Sequence, residues 1–555
     1  MYSVLIDDIL LRVLKIKRKR DGNLKLTFVG ADHEVTGSCH YLEAAGKHIL
    51  IDRGMQQGVD YFENIEIPIK ENEIDYVFLT HAHIDHSGMI PALYAKGFRG
   101  KIYATKATVD LCNIMLRDSA HIQMFEAEWR NRKAKRYGGK LVEPIYNMAD
   151  ADGTIKLLVP CNYGEEIVVS ENLKIRFTDV GHLLGSASIE VWATEKGTTK
   201  KIVFSGDIGN TMQPIIKDPQ TTDKADYVVM ESTYGDRYHD KNKVDYVTEL
   251  TGIIQKTFDQ GGNLVIPSFA VGRTQEILYF IRKIKANHLV HGHDGFSVYV
   301  DSPLAVEATE VFQKNIDSCF DAEAMALAKK GINPLRFPGL KLSITSDESK
   351  AINFDPDPKV IISASGMCEA GRVRHHLKHN LWKAESTVLF VGYQAMGTLG
   401  RKLSEGADEV RLFGEPIEIK ATIEKLDGLS GHADKEGLLN WINSFKEKPE
   451  RVFVVHGETS VSDSFVTCLE KKYGFVAYAP YSGTVFDLIK NKFEYEASPI
   501  VLKKAKSRVS SNIYLRLKSA GERLRSVIEK NQGGTNDDLQ KFTKQIDILC
   551  EKWDR

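Results

Sequence analysis

THAHIDHSG, residues 80–88, decides the reading of this 555-residue chain. It ends the apolar run DYVFL (75–79), which has the composition of a short strand, and it carries His81, His83, Asp85 and His86. Residues two apart on an extended chain point the same way, so His81 and His83 can grip one metal ion together. Asp85 and His86 fall past the strand end, where a turn can aim them at a second ion. Imidazole with carboxylate suits zinc, and two such ions ~3.5–4 Å apart are a recurrent hydrolytic centre.

One stretch of this kind holds too few donors for two ions. The same form, an apolar run ending in a polar residue, recurs at KHILID (47–52), KIRFTDVGH (174–182), KIVFSGD (201–207), DYVVMES (226–232) and RVFVVHGE (451–458). The carboxyl ends of strands collect the ligand-binding loops of α/β sheets, so these termini are expected at one edge. There His182 would complete the first metal site, His456 the second, and Asp207 would bridge them. Asp52 is expected behind the ligands, orienting their rings.

Taken as a set, HxHxDH with these Asp and His motifs in this order resembles the metallo-β-lactamase superfamily. ESTYG (231–235), SGHAD (430–434) and VVHGE (454–458) look like the three motifs of its β-CASP branch. PSFAVGRTQE (267–276), DSPLA (301–305) and SASGMCEAGRVRHHLKHNL (363–381) resemble the lobe inserted in that branch. GADHEVTGSCHYLE (30–43) and DRGMQQG (52–58) are similar to its RNA-processing members, although His33 stands where such relatives commonly carry Arg.

The resemblance implies an α/β fold, a four-layer αββα metallo-β-lactamase domain with an inserted α/β β-CASP domain. The first part of the outer domain would span 24–235, the insertion 236–420 and the second part 421–500. An N-terminal extension (1–23) and a C-terminal helical extension (501–555) would flank them. It also implies two Zn2+ per chain and hydrolysis of phosphodiester bonds in single-stranded RNA, with the choice between internal cleavage, 5′-to-3′ trimming and both left open. The products would carry 5′-phosphate and 3′-hydroxyl ends. Asp85, Glu231 and His432 are the expected catalytic side chains. Asp85 would act from within the ligand set, His432 would give a proton to the leaving 3′ oxygen, and Glu231 would orient His432 and keep it protonated.

Substrate grip is expected from the inserted lobe. Gly272-Arg273-Thr274 opens a helix after a strand, and free amides at a helix N-terminus bind phosphate. Ser365 and Gly366, followed by Arg372, offer a similar arrangement, and GYQAMGTLGR (392–401) adds a glycine-rich turn with Arg401. Such a groove would thread a single strand and read little sequence.

Composition limits the rest. Hydrophobic content of 42% and charged content of 27% describe an ordinary globular protein. The net charge of −1 gives no global attraction for nucleic acid, so any phosphate binding must be local. Seven singly placed cysteines point to a reducing cytoplasm rather than a disulfide framework. No apolar run approaches the ~20 residues needed to span a bilayer, and the acidic-then-apolar-then-basic N-terminus is not a secretory signal. Residues 503–530 and 537–553 read as two amphipathic helices, compatible with a homodimer or with protein partners in an RNA-processing complex.

Four rival readings use parts of this pattern. A small-molecule metallohydrolase would not need a ~185-residue insertion rich in phosphate-loop glycines. A DNA nuclease of the same branch typically lacks the histidine that stands here as His456. A di-iron oxidoreductase usually has Glu in place of His83. A non-catalytic scaffold subunit would have lost ligands, and every expected ligand is present.

Overall fold

The computed structural model describes residues 24–57, 62–137, 140–239, 245–395, 397–426, 428–502 and 509–553. The expected extension 1–23 and the basic run 503–508 lie outside these residues.

Strands of alternating polarity build two facing sheets. The strand Leu173–Asp179 shows the pattern, with Leu173, Ile175 and Phe177 buried and the residues between them half-exposed. An eight-stranded sheet places its strands in the order 492–495, 485–487, 25–30, 39–44, 47–51, 76–78, 101–105 and 158–161. A seven-stranded sheet runs 477–478, 451–455, 227–231, 198–204, 187–195, 173–179 and 167–170. Phe28, Ile49, Phe177, Ile189, Phe204, Phe453 and Phe486 fill the space between them.

Helices cover both outer faces. Val77, Leu79 and Ile102 of the first sheet share a core with Leu93, Leu111 and Leu116 of the helices Ile90–Ala95 and Lys106–Tyr137. Val203, Val228 and Val452 of the second share one with Leu438, Ile442, Phe465 and Leu469 of Lys435–Asn443 and Thr459–Tyr473. The result is the expected αββα sandwich.

Between residues 231 and 435 the chain builds a third, six-stranded sheet in the order 340–343, 297–301, 359–363, 264–267, 387–390 and 422–425. All its pairings are parallel, and both faces are buried under helices, as parallel sheets require. Its last strand, Thr422–Lys425, pairs with Thr387–Phe390, so the inserted lobe runs past the expected boundary at 420.

One compact unit comprises the chain up to Met124 together with Pro144–Ile500. A second comprises Phe125–Glu143 with the residues from Val501 onward. The second unit contains the helices Val509–Lys530 and Asn536–Trp553, near the expected positions. The stretch Phe125–Glu143 had no such assignment in the sequence.

Candidate metal centre

The turns that close the sandwich strands bring the expected ligands to one edge. Asp52, His182 and His456 each adopt positive φ (59°, 65° and 51°), a conformation that non-glycine residues rarely take. Each follows a strand or strand-end loop, and the sharp turn swings its side chain over the sheet edge. Strain of this kind persists where surrounding structure imposes it and clusters at functional sites.

Two donor sets result. His81 Nε2 and His182 Nε2 each lie 3.1 Å from His83 Nδ1, and they stand 3.5 and 3.4 Å from Asp207 Oδ2. Four donors around a tetrahedral zinc with bonds of ~2.0–2.1 Å must be ~3.3 Å apart, so this set has the right spacing. In the second set, His86 Nε2 lies 3.3 Å from His456 Nε2 and 3.2 Å from Asp207 Oδ1. Asp85 Oδ2 is 3.6 Å from His456 Nε2. Asp207 therefore turns one oxygen to each set. Its Oδ1 is buried and accepts no hydrogen bond, as a group awaiting a cation would be.

Behind the donors sits an orienting layer. Asp52 Oδ2 is 2.7 Å from His86 Nδ1, leaving Nε2 free to face the centre. Thr80 holds that carboxylate through its amide and its hydroxyl, both at 2.8 Å. Thr233 Oγ1 sits 3.1 Å from His456 Nδ1. The sequence reading included Asp52 but neither threonine, because a hydroxyl after a strand carries no distinctive signal.

Electrostatics matches the donor chemistry in the first set. In the second, burial opposes a charged His86, but Asp207 and Asp52 prevail and push its pKa well above the usual histidine range, a proton that a bound cation would displace. Burial, reinforced by neighbouring imidazoles, pushes His81 and His182 well below the usual histidine range, so both are neutral and present lone pairs. Burial alone would neutralise the carboxylates, but the imidazoles around them outweigh it. Asp207 is held well below its ordinary range and Asp85 at about 2. Neutral imidazoles and ionised carboxylates are what a divalent ion binds.

His432 and Glu231 adjoin the two sets. Both Glu231 oxygens are 3.2 Å from His432 Nδ1, while His432 Nε2 points to Asp207 Oδ2 at 4.0 Å. Glu231 itself accepts from the amides of Ile208 and Thr233. Burial disfavours a charged His432, but Glu231, Asp207 and Asp85 outweigh it and raise its pKa to about 9. Asp434 caps the helix that follows, accepting from Gly437 N.

The expected phosphate contacts need correction. Arg273 N and Thr274 N already donate to the carbonyls of Val271 and Phe269, and Gly272 N donates to Gln275 Oε1. These three amides are thus taken up within the lobe, and Thr274 is itself buried. Arg273 is consumed by Glu276 and the Leu429 carbonyl. Arg372 is pinned to Asp301 and to the carbonyls of Ser343 and Ile344. Inside a lobe whose parallel sheet ends leave carbonyls and carboxylates unpaired, these arginines serve the fold.

Gly366 is buried against Phe269, and its carbonyl accepts from Gln394. Ser365 remains half-exposed nearby. Arg401 lines a cavity of about 370 Å³ between the inserted lobe and the sandwich. Tyr234, Arg237, His239, Tyr393 and Lys425 also line it, and sequence reading missed all of them. Lone aromatic and basic residues in loops or at a strand end, as Lys425 is, have no periodicity to mark them.

Three family models match the chain. They are the Metallo-beta-lactamase superfamily over residues 34–121, the Beta-Casp domain over 274–403, and the Zn-dependent metallo-hydrolase RNA specificity domain over 416–480. A ribonuclease of Thermus thermophilus is 37% identical over 438 residues, 78% of this chain and 93% of the relative. The chain belongs to the β-CASP family of the metallo-β-lactamase superfamily. A second β-CASP relative, an RNase J-like protein of Methanocaldococcus jannaschii, is 32% identical over 83% of this chain and 99% of its own length. The transcription termination factor FttA of the same organism is 29% identical, covering 82% and 70%. Membership makes the His/Asp cluster the centre of a metal-dependent hydrolase.

Proposed function

We propose that this β-CASP enzyme hydrolyses phosphodiester bonds of single-stranded RNA using two zinc ions, leaving 5′-phosphate and 3′-hydroxyl ends. The observation that carries the reading is Asp207 turned to two donor sets at once, with His432 beside it. His81, His83 and His182 would hold one ion, and Asp85, His86 and His456 the other. When bound, the pair would supply a nucleophile at neutral pH and stabilise charge on the phosphoryl oxygens.

The chain's own residues do the rest. His432, charged at neutral pH, offers the proton on Nε2 to the departing 3′ oxygen, while Glu231 fixes the ring through Nδ1. The cavity between lobes admits an unpaired strand, and its basic side chains supply locally the attraction that a net charge of −1 withholds. The ribonuclease names of two relatives support RNA as substrate, and so does His456. Cleavage inside a strand and 5′-to-3′ trimming both fit a groove of this kind. Among the described residues no helix is long and apolar enough to cross a membrane, and six of the seven free cysteines are buried, which supports a reducing cytoplasmic setting.

The test compares wild type with His83→Ala on end-labelled single-stranded RNA and matched DNA, with metal content measured on the same samples. Metal-dependent RNA cleavage that the variant loses, with DNA spared, is the expected result. Intact RNA with wild type loaded with two zinc ions would remove RNA as the substrate.

A further inference from the structure

The cavity between the lobes has a composition that ion binding and proton transfer do not use. Tyr393, on the turn after the strand Thr387–Phe390, is 63% exposed and lines that space. Tyr234, also in its wall, packs edge-on against His432 with ring centroids 6.0 Å apart. The guanidinium of Arg237 lies 5.2 Å from the Tyr234 ring. Ser430, also in the wall, has its hydroxyl 3.2 Å from His432 N. Arg237, Arg401 and Lys425 line the cavity and, among the described residues, no carboxylate does; Asp236 and Glu405 hold Arg237 and Arg401 through Nε, at 2.9 and 2.6 Å. Gln394, 7% exposed, also lines the cavity, and its Oε1 has no hydrogen-bond partner among the described residues. An exposed ring beside cations and an unpaired amide oxygen is the equipment of a nucleotide pocket.

We propose that Tyr393 is a positioning residue that stacks on the base immediately upstream of the scissile phosphate. The side is set by His432. The proposal rests on the reading above, in which His432 protonates the leaving 3′ oxygen. The nucleoside that owns this oxygen must then lie on the His432 side of the phosphate. Through Tyr234 and Ser430, the cavity is what opens there. Every base has a π face, so the contact would tighten binding without dictating sequence.

The test uses an RNA whose cleavage position under wild type has been mapped, in three forms: intact, lacking the base just upstream of the cut, and lacking the base just downstream. Tyr393→Leu is expected to raise KM by roughly 10- to 100-fold, with a much smaller change in kcat. Tyr393→Phe keeps the ring and should stay near wild type. Removing the upstream base should raise KM of wild type by a similar factor and add nothing further in Tyr393→Leu. Removing the downstream base should leave the gap between wild type and Tyr393→Leu intact. An unchanged KM in Tyr393→Leu, or independent effects of the variant and the upstream deletion, would overturn the proposal. If wild type cleaves no RNA at all, the functional reading fails separately. Stacking is then decided by fluorescence anisotropy with an intact single-stranded RNA, where equal Kd for wild type and Tyr393→Leu overturns it.

Discussion

His432 gains its charge from its surroundings. Burial alone would strip the proton from the ring, yet two Glu231 oxygens at 3.2 Å and the carboxylates of Asp207 and Asp85 more than compensate. A proton donor must be charged when the leaving group departs. In His432→Ala, kcat should fall by roughly 10²- to 10⁴-fold while metal content per chain is unchanged, since His432 belongs to neither donor set. Glu231→Gln removes the largest favourable influence on the charged ring, so the pKa of His432 drops. The alkaline limb of the pH–rate profile should therefore move to lower pH. An unmoved limb would assign the proton to another group.

At the scale of elements, turns do the positioning, and their tolerances are small. Gly54 follows the orienting Asp52, and a Cβ there would lie 1.6 Å from the carbonyl oxygen of Asp85 and 2.9 Å from His86 N. The short helix Ile84–Ser87 would have to lift away to make room. Gly54→Ala is expected to retain the His81–His83–His182 set and lose the ion held by Asp85, His86 and His456, halving the metal content measured per chain.

Sheet polarity supplies a second test. Glu190 is fully buried in the strand Ala187–Glu195, where Arg176, Lys201, Thr178 and Thr222 bind its carboxylate. Burial opposes the charge, but these partners prevail and hold its pKa at about 2. A depressed carboxylate adds stability that is complete above its unfolded value of ~4.3 and disappears as pH falls through the folded one. Glu190→Gln should cost on the order of 3 kcal/mol at pH 7. Its gap from wild type in chemical denaturation should close between pH ~4.5 and about 2.

For the whole molecule, charge distribution matters more than charge. The chain is nearly neutral, yet Arg237, Arg401 and Lys425 line the cavity between its lobes and, among the described residues, no carboxylate does. RNA affinity should therefore fall with salt by a modest amount. A log–log slope of about −2 follows if three cations each meet one phosphate of a single strand. Arg237→Gln should reduce that slope by about 0.7, whatever the RNA sequence. A slope near zero would place the strand elsewhere.

The amino-acid order alone specifies the sandwich and the inserted lobe, and it names the side chains that gather at one sheet edge. Apolar runs ending in His, Asp or Glu carry both the strand signal and the chemistry, and an αββα core follows from burying their alternating faces. It also determined that Asp434 caps a helix, because capping is a local event. Which arginines reach the cavity depends on the folded chain. Arg273 and Arg372 looked like Arg401 in sequence, but the Leu429 carbonyl and the Asp301 carboxylate, each more than fifty residues away, help to hold them inside the lobe. Arg401 instead lines the cavity and pairs with Glu405. Folding decided as well that Thr80 and Thr233 back the ligand rings, that the insertion's last strand pairs beyond residue 420, and that Tyr234 and Tyr393 line one cavity. These facts depend on partners remote in the chain, and hydrogen-bond competition between remote groups leaves no periodic trace in a sequence.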